Sequence, residues 1–420
     1  MYYSLVIIIL FSLQKIITEE AKLLLVYEHF RHGARAPCNN IDENSKDIFG
    51  QLWEGECEMT KIGIMQHYIL GNRNRKRYQN FINENFSYYD ILVYSSERDR
   101  AIQSAQAQLK GFFDNSNDII IPVHTIDDNT NLPVFYYDIK NNCPILKEIR
   151  KKNYNDNEIV VNFVNDFIVD YSKILEEISD KINININATL IDIICGAYIC
   201  NYFDGRNLSY IMNKYNYNEK KFYNKCIEYN HIKHFEIALG KEANFTAILS
   251  SSLNLKNLIG YMENIINNTS KSPKYILYSG HDTTLSSIQV FFKKVFDAEI
   301  QYVPFASQMV IHLIERNNGL YVLYYFNDKL LFDIPYNDFK NKILENVWER
   351  KKIDKFCEVK KKNNPFFLTL FYSSFFLFVI CIIVIYHLKN NFNYGRSYVS
   401  FSKLRKNSYP ENKGEIVVTK

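Results

Sequence analysis

Glycine, proline and tryptophan are scarce in this chain: 14, nine and two among 420 residues. That is not a low-complexity composition, and with 47% hydrophobic and 23% charged residues the chain can bury a large core, so it is not a disordered protein. No two cysteines are spaced C-x-x-C, which removes the usual basis for a structural zinc site. The histidines of "HIKH", His231 and His234, have no further ligands near them in sequence and read as helix-surface residues. An excess of charge of one sign is missing too. Fifty Lys and Arg against 46 Asp and Glu leave a formal charge of +4, too mild a balance for a nucleic-acid-binding protein. Asn-rich runs such as "KINININAT" recur and carry no structural signal.

Two apolar runs stand at the ends. Leu5 to Leu13 is too short to span a bilayer and is followed by polar residues, so residues 1–20 read as a secretory signal peptide. Phe366 to Tyr386 has 21 residues without a charge, about what a ~30 Å hydrocarbon core requires of a helix, and reads as a transmembrane helix. A leader at one end and an anchor at the other give a single-pass type I membrane protein. Residues 21–360 then face the lumen or exterior, and 387–420 form a cytosolic tail. The sequons at Asn85, Asn187, Asn207, Asn244, Asn267 and Asn268 all precede the anchor and are candidate glycosylation sites. Seven cysteines lie on the same side, which allows at most three disulfides, and Cys381 lies in the anchor. Cys38 and Cys57 flank one loop and read as a bridge; Cys195, Cys200 and Cys226 stay unassigned.

Between the ends the rhythm is α/β. "KLLLVYEHF" is a near-continuous apolar run, as a buried strand of a partly parallel sheet would be; "YDILVYSS" and "KYILYSG" are two more. Thr60 to Tyr78 carries Ile62, Met65, Ile69 and Leu70 at helical spacing, and Arg98 to Phe112 carries Ala101, Ala105 and Leu109 on one stripe. "MVIHLIER" and "LYVLYYFND" make a hairpin across Asn317, Asn318 and Gly319. From about 114 to 260 the chain reads mainly as helices, a helical insertion into a sheet domain.

The three strands each run into polar residues, where open α/β sheets place their ligands. The first leads to Arg31, His32, Gly33 and Arg35; the second to Ser96-Glu97-Arg98-Asp99-Arg100; the third to Ser279-Gly280-His281-Asp282. Guanidiniums beside His32 disfavour imidazolium and keep the ring neutral, with a lone pair for attack. Their planar forks of donors match the oxygens of a phosphate, and Gly33 lets backbone approach closely. Phosphoryl transfer needs charge on the equatorial oxygens, a nucleophile in line and a proton for the departing alkoxide. All three needs have candidates here.

These motifs resemble the histidine acid phosphatase family, in the branch with the prostatic and lysosomal enzymes. Arg31, His32, Gly33, Arg35 and Pro37 meet its R-H-G-x-R-x-P pattern, "SSERDRAIQSAQ" is similar to its second arginine motif, and "YSGHDTTL" to its closing H-D motif. The likeness runs from about residue 22 to 357 and is weak through the insertion. It implies a phosphoglycerate-mutase-like mixed sheet flanked by helices, with a phosphohistidine formed on His32. Arg31, Arg35, Arg100 and His281 would hold the phosphoryl group and Asp282 would protonate the leaving alcohol, with no cofactor and no metal. It also implies a Cys143–Cys357 bridge, a structural role for His67, and small phosphomonoesters as substrates; relatives of this fold are often dimers, which leaves a homodimer open. Tyr94 and Ala101 stand where the family often has arginine and threonine, and Glu28 puts an acid just before Arg31, as a rim residue or as a salt-bridge partner.

An inositol-phosphate (phytase-like) phosphatase is the nearest alternative, but such enzymes often carry H-A-E in place of H-D and need a more basic rim. A catalytically silent membrane glycoprotein that keeps the fold is the alternative from another class, against which the six intact site positions weigh. In the tail, Tyr398-Val-Ser-Phe401 has the form of a tyrosine-based sorting signal for an adaptor, which would send the protein to a lysosome or phagosome rather than the cell surface.

Overall fold

The computed structural model describes residues 21–38, 46–82, 88–114, 119–125, a few positions between 143 and 152, and 156–239, 244–269 and 272–358. The expected signal peptide, membrane helix at 366–386 and tail lie outside these residues, as does Asn85. Among the described residues no helix is long and apolar enough to cross a membrane.

In chain order the elements are β1 (Lys22–Arg31), α1 (Lys61–Tyr78), β2 (Ile91–Ser95), α2 (Asp99–Phe112) and β3 (Val123–Thr125). There follow α3 (Glu158–Asp170), α4 (Ser172–Ile182), α5 (Ala188–Phe203), α6 (Ser209–Lys214), α7 (Glu219–Leu239) and α8 (Asn244–Ile266). The last group is β4 (Tyr275–Gly280), α9 (Asp282–Phe296), β5 (Gln308–Arg316), β6 (Gly319–Phe326), β7 (Lys329–Pro335), α10 (Tyr336–Asn346) and α11 (Arg350–Cys357). One seven-stranded sheet runs in the order β3-β2-β4-β1-β5-β6-β7. The four strands from β3 to β1 are parallel; β5, β6 and β7 continue antiparallel. Central β1 and β4 are buried on both faces, which is why they read as unbroken apolar runs. Asn317 and Asn318, both at positive φ, form the two-residue turn between β5 and β6, the conformation whose twist matches a hairpin.

Helices cover both faces of the sheet. α8, α9 and α10 bury Leu258, Met262, Leu285, Phe291 and Phe339 against Tyr27, Ile276 and Ile311 on one face. α1 and α2 pack on the other, where Tyr78, Ala105 and Phe112 meet Val26, Val93 and Leu277. A separate core lies within α3 to α7, joined by Ile48, Phe49 and Trp53 from the segment after β1. Buried Asp47 ties that segment down: its carboxylate accepts from the Phe49 and Gln51 amides, from Trp53 Nε1 and from Asn201 Nδ2 on α5. Cys38 is bonded to Cys57, and Cys143 to Cys357; Cys195, Cys200 and Cys226 are free and buried.

Several sequence expectations are corrected. The apolar stripe on α1 is not its buried face: Ile62, Met65 and Ile69 are 40%, 53% and 58% exposed. Only Leu70 of the four is buried, together with Gly63, His67, Gly71, Asn74 and Tyr78. α1 meets α2 so closely that a Cβ on Gly71 would sit 2.0 Å from the Gln108 carbonyl oxygen, and one on Gly111 2.0 Å from that of Tyr68. Small residues rather than large apolar ones mark this contact, so a hydrophobic pattern misreads it. The stretch from about 114 to 260, read as mainly helical, does carry α3 to α7, but its limits as an insertion shift. β3 lies within it as an edge strand, and its far limit falls inside α8, which packs on the sheet.

Gly111→Ala is expected to destabilise the fold by about 1–3 kcal/mol through overpacking, read as a lower denaturant midpoint; an unchanged midpoint would contradict this α1–α2 packing.

Candidate active site

Register brings the three motifs to one edge. Arg31 pairs with Gly280 across β1 and β4, and Ser95 with Ser279 across β2 and β4, so the C-terminal ends of the three parallel strands lie side by side. His32 continues past β1, its amide donating to the Gly280 carbonyl at 3.0 Å and its carbonyl accepting from the Ala306 amide at 3.1 Å. Arg100 lies in the first turn of α2, and Asp282 opens α9 directly after β4. Antiparallel β5 brings a fourth contributor, because its preceding loop, 302–307, must end where β1 ends.

His32 is buried, with Nδ1 2.9 Å from the Gly33 carbonyl. A carbonyl only accepts, so the neutral ring carries its proton on Nδ1 and a lone pair on Nε2. Burial, and then the charges of His281, Arg31, Arg100 and Arg35, hold this imidazole well below its ordinary range. His281 lies 5.4 Å away, ring centre to ring centre, with Nε2 2.9 Å from Ser96 Oγ. Burial first and Arg100 next lower its imidazole to about 3.

Arg31 is held on three sides. Nη1 donates to the Val303 carbonyl at 2.7 Å, Nη2 pairs with Asp282 Oδ2 at 2.8 Å, and the guanidinium lies 4.1 Å above the Phe305 ring. Arg35 donates to the Ala36 carbonyl at 2.8 Å and toward Cys200 Sγ at 3.6 Å. Burial and the neighbouring Arg35 lower Arg100 to about 10. The Nε atoms of Arg31, Arg35 and Arg100 are all buried without a hydrogen-bond partner. Burial pushes the Asp282 carboxyl upward, but Arg31, then His234, His32 and His281, prevail and hold it well below the usual carboxylate range.

Arg31, Arg35 and Asp282 line one side of a cavity of about 420 Å³. Its walls come from α5, with Asp192, Ile193 and Gly196, from α7, with Asn230, Lys233 and His234, and from Tyr302 and Phe305. Lys233 is paired with Asp192. Three guanidiniums around a neutral imidazole, with buried donors left over, suit a tetrahedral oxyanion such as phosphate. Among the described residues no three His, Cys, Asp or Glu side chains gather as metal ligands.

The structure thus brings together Arg31, His32, Arg35, Arg100, His281 and Asp282. His234 is corrected: it is no free surface residue but 14% exposed, its Nε2 3.8 Å from Asp282 Oδ2. His231 is half-buried beside the Phe235 ring. Gly33 has another reason than access for an anion, since a Cβ there would sit 2.3 Å from the Gly63 carbonyl oxygen of α1. Tyr302, Val303 and Phe305 escaped sequence reasoning, as did the part His234 takes at the site; the position of 302–307 just before an antiparallel neighbour of β1 was the signal available for the first three. Of the candidate glycosylation asparagines, Asn187, Asn207, Asn267 and Asn268 are exposed. Asn187 also caps α5, its side chain accepting from the Thr189 and Leu190 amides.

Glu28 is neither a rim residue nor a salt-bridge partner. It is fully buried behind Arg31, its oxygens accepting from Tyr275 Oη (2.6 Å), Gln108 Nε2 (2.7 Å), Gln308 Nε2 (2.7 Å) and Asn74 Nδ2 (3.1 Å). Gln108 also meets His67, whose Nδ1 lies 3.2 Å from its Oε1 and whose Nε2 lies 3.1 Å from the Arg31 carbonyl.

Fold and site together define a phosphoryl-transfer enzyme built around a histidine. A model of the histidine phosphatase superfamily (branch 2) matches residues 24–327, and the chain belongs to that family. The lysosomal acid phosphatase of Xenopus laevis is 23% identical over 338 residues, 78% of this chain and 74% of that protein. The prostatic acid phosphatase of Bos taurus is 24% identical over 316 residues, 72% and 77% of the two chains. Among solved structures, Klebsiella sp. ASR1 phytase aligns with a TM-score of 0.59 at 13% identity, over 79% of this chain and 97% of that one. Hafnia alvei phytase in complex with tartrate gives 0.58 at 14% identity, over 80% and 99%. At such identities the phytases speak for the fold alone. The chain is a phosphatase of the histidine acid phosphatase type.

Burial raises the Glu28 carboxyl above its ordinary value near 4.5, against the hydrogen bonds from Tyr275, Gln108 and Gln308 that favour the anion. A carboxyl raised on folding binds its proton more tightly in the folded state, so its contribution falls as pH rises from about 4.5 through the folded value. Wild type is expected to lose stability over that window relative to Glu28→Gln; parallel stability curves for the two proteins would refute it.

Proposed function

We propose that the enzyme hydrolyses small phosphate monoesters through a phosphohistidine on His32, with Asp282 as proton donor. The observation that carries this reading is His32 Nε2, a lone pair among three guanidiniums whose Nε atoms are buried without partners. The phosphoryl group binds between Arg31, Arg35 and Arg100, with His281 on a further oxygen. His32 Nε2 attacks phosphorus while the bond to the ester oxygen breaks, and Asp282 gives that oxygen its proton. Water then attacks the phosphohistidine, Asp282 takes its proton, and phosphate leaves. Covalent catalysis divides one difficult displacement into two easier ones.

Asp282 is held ionised by Arg31, so it needs help to act as an acid. An arriving phosphate dianion supplies it: Arg31 turns its charge to the phosphate, and the added negative charge raises the neighbouring carboxyl. An acidic optimum follows, because protonated Asp282 disappears as pH rises. The phytase-like alternative asks for a cationic rim, whereas Lys233, the lysine on the cavity wall, is already neutralised by Asp192.

In the same reading residues 1–20 are a cleaved leader, Phe366 to Tyr386 anchors the protein, and Asn187, Asn207, Asn244, Asn267 and Asn268 face a compartment where glycans are added, as does Asn85. The catalytic unit is lumenal or extracellular, consistent with lysosomal and prostatic relatives, and Tyr398–Phe401 directs the protein through an adaptor. A homodimer agrees with the habit of the fold.

At pH 5 the protein is expected to hydrolyse an aryl phosphate and to trap an acid-labile phosphoryl group that His32→Ala lacks. Equal rates for the two, or a rate rising steadily to pH 9, would overturn the mechanism. Deletion of 366–420 is expected to move activity from the membrane fraction to the medium; activity still sedimenting with membranes would overturn the anchor.

A further inference from the structure

The constellation of arginines and histidines leaves one side of Asp282 to a residue from outside the three strand-end motifs. Asp282 Oδ1 accepts from the Thr283 amide at 2.8 Å, which leaves Oδ2 as the working oxygen. Two side-chain nitrogens face that atom: Arg31 Nη2 at 2.8 Å and, from the C-terminal part of α7, His234 Nε2 at 3.8 Å. Arg31 is the group the substrate draws away, since its guanidinium also borders the phosphate. His234 stands on the cavity wall instead, on the side where the ester's leaving group must lie if the phosphoryl end occupies the floor.

Resting on the reaction just described, we propose that His234 is a positioning residue for the proton donor: its imidazole orients Asp282 Oδ2 and steadies the carboxylate left behind when Asp282 gives up its proton. The step balances without a further reactant. As the phosphorus–oxygen ester bond breaks and the His32 Nε2–phosphorus bond forms, the Asp282 proton passes to the leaving oxygen. The new carboxylate then faces His234 on one side and Arg31, now shared with phosphate, on the other. A ring N–H across from that anion steadies it, and a protonated imidazole does so more strongly.

On α7 itself Lys233 is neutralised by Asp192 of α5, and His231 packs on Phe235. From the strand side Arg31, Arg35, His32 and His281 face the cavity or Asp282, Arg100 adds its charge from α2, and the Tyr302 phenol is pushed up to about 12 by burial against the pull of Arg31. Each of those cations borders the phosphate site; His234 borders the leaving group. The contact also ties the proton donor to α7, so the helical segment is part of the chemistry and not only a wall.

Leaving-group dependence separates this role from a structural one. The full-length protein, His234→Gln and His234→Ala would be compared on p-nitrophenyl phosphate, whose leaving group departs with little protonation, and on glycerol 2-phosphate, whose alkoxide needs a full proton. Both variants are expected to lose about tenfold in kcat on the alkyl ester, part of the larger factor general acids contribute, and no more than about threefold on the aryl ester. KM and inhibition by inorganic phosphate should stay within about twofold, which reports an intact phosphate site. Equal losses on both esters, or no loss on either, would overturn the proposal. Failure of the underlying reaction reads out separately, as activity that survives in His32→Ala.

Discussion

Concentrated positive charge around one imidazole is the constraint on which this molecule turns. Arg31, Arg35 and Arg100 converge on His32 and His281, and Asp282 is the carboxylate set against them. Buried like charges are costly unless paired, and one carboxylate does not balance three guanidiniums. The surplus shows locally: His281 is lowered to about 3, Arg100 to about 10, and three guanidinium Nε atoms have no partner. A phosphate dianion is the counter-ion this surplus suits, and the same charges, added to burial, help keep the His32 ring neutral.

Holding such a cluster requires rigid support. Arg31 is locked through its side chain by Val303, Phe305 and Asp282, and through its backbone by the Ser307 carbonyl, which accepts from its amide, and by His67. Behind it, Glu28 gathers four neutral side chains from α1, α2, β4 and β5, crossing the centre of the sheet. That carboxylate is screened from the pocket by the strand itself, so it braces the elements that carry the site without neutralising the guanidiniums. The α1–α2 contact serves the same end: Gly63 accepts the backbone after His32, while Ser104 of α2 accepts from the Gly33 amide at 3.1 Å.

Much of the sheet was legible in sequence, because parallel strands buried on both faces leave unbroken apolar runs. β1, β2, β4 and the β5–β6 hairpin are visible this way; β3 is three residues long at an edge, and β7 is half-exposed, so neither leaves a pattern. α1 misled for the opposite reason. Its buried face is made of glycines, His67 and Asn74, and its isoleucines and methionine point outward. The six candidate site residues, which the fold gathers at one edge of the sheet, were legible because each falls in a short motif at or just after a strand end. His234 was not: it is one histidine on a long helix, and nothing local says which way it faces.

By itself, the sequence determined the chemistry available. R-H-G-x-R-x-P, the second arginine motif and H-D follow three apolar runs, and guanidiniums beside an imidazole push it toward neutrality. Tertiary structure decided the rest, since it depends on distances between residues remote in the chain. Register placed Arg31 beside Gly280, packing gave Glu28 a buried network in place of a rim, and the α7 helix turned His234 toward Asp282. Spacing along a chain fixes which groups exist near a strand end; only the folded packing fixes which of them share one oxygen.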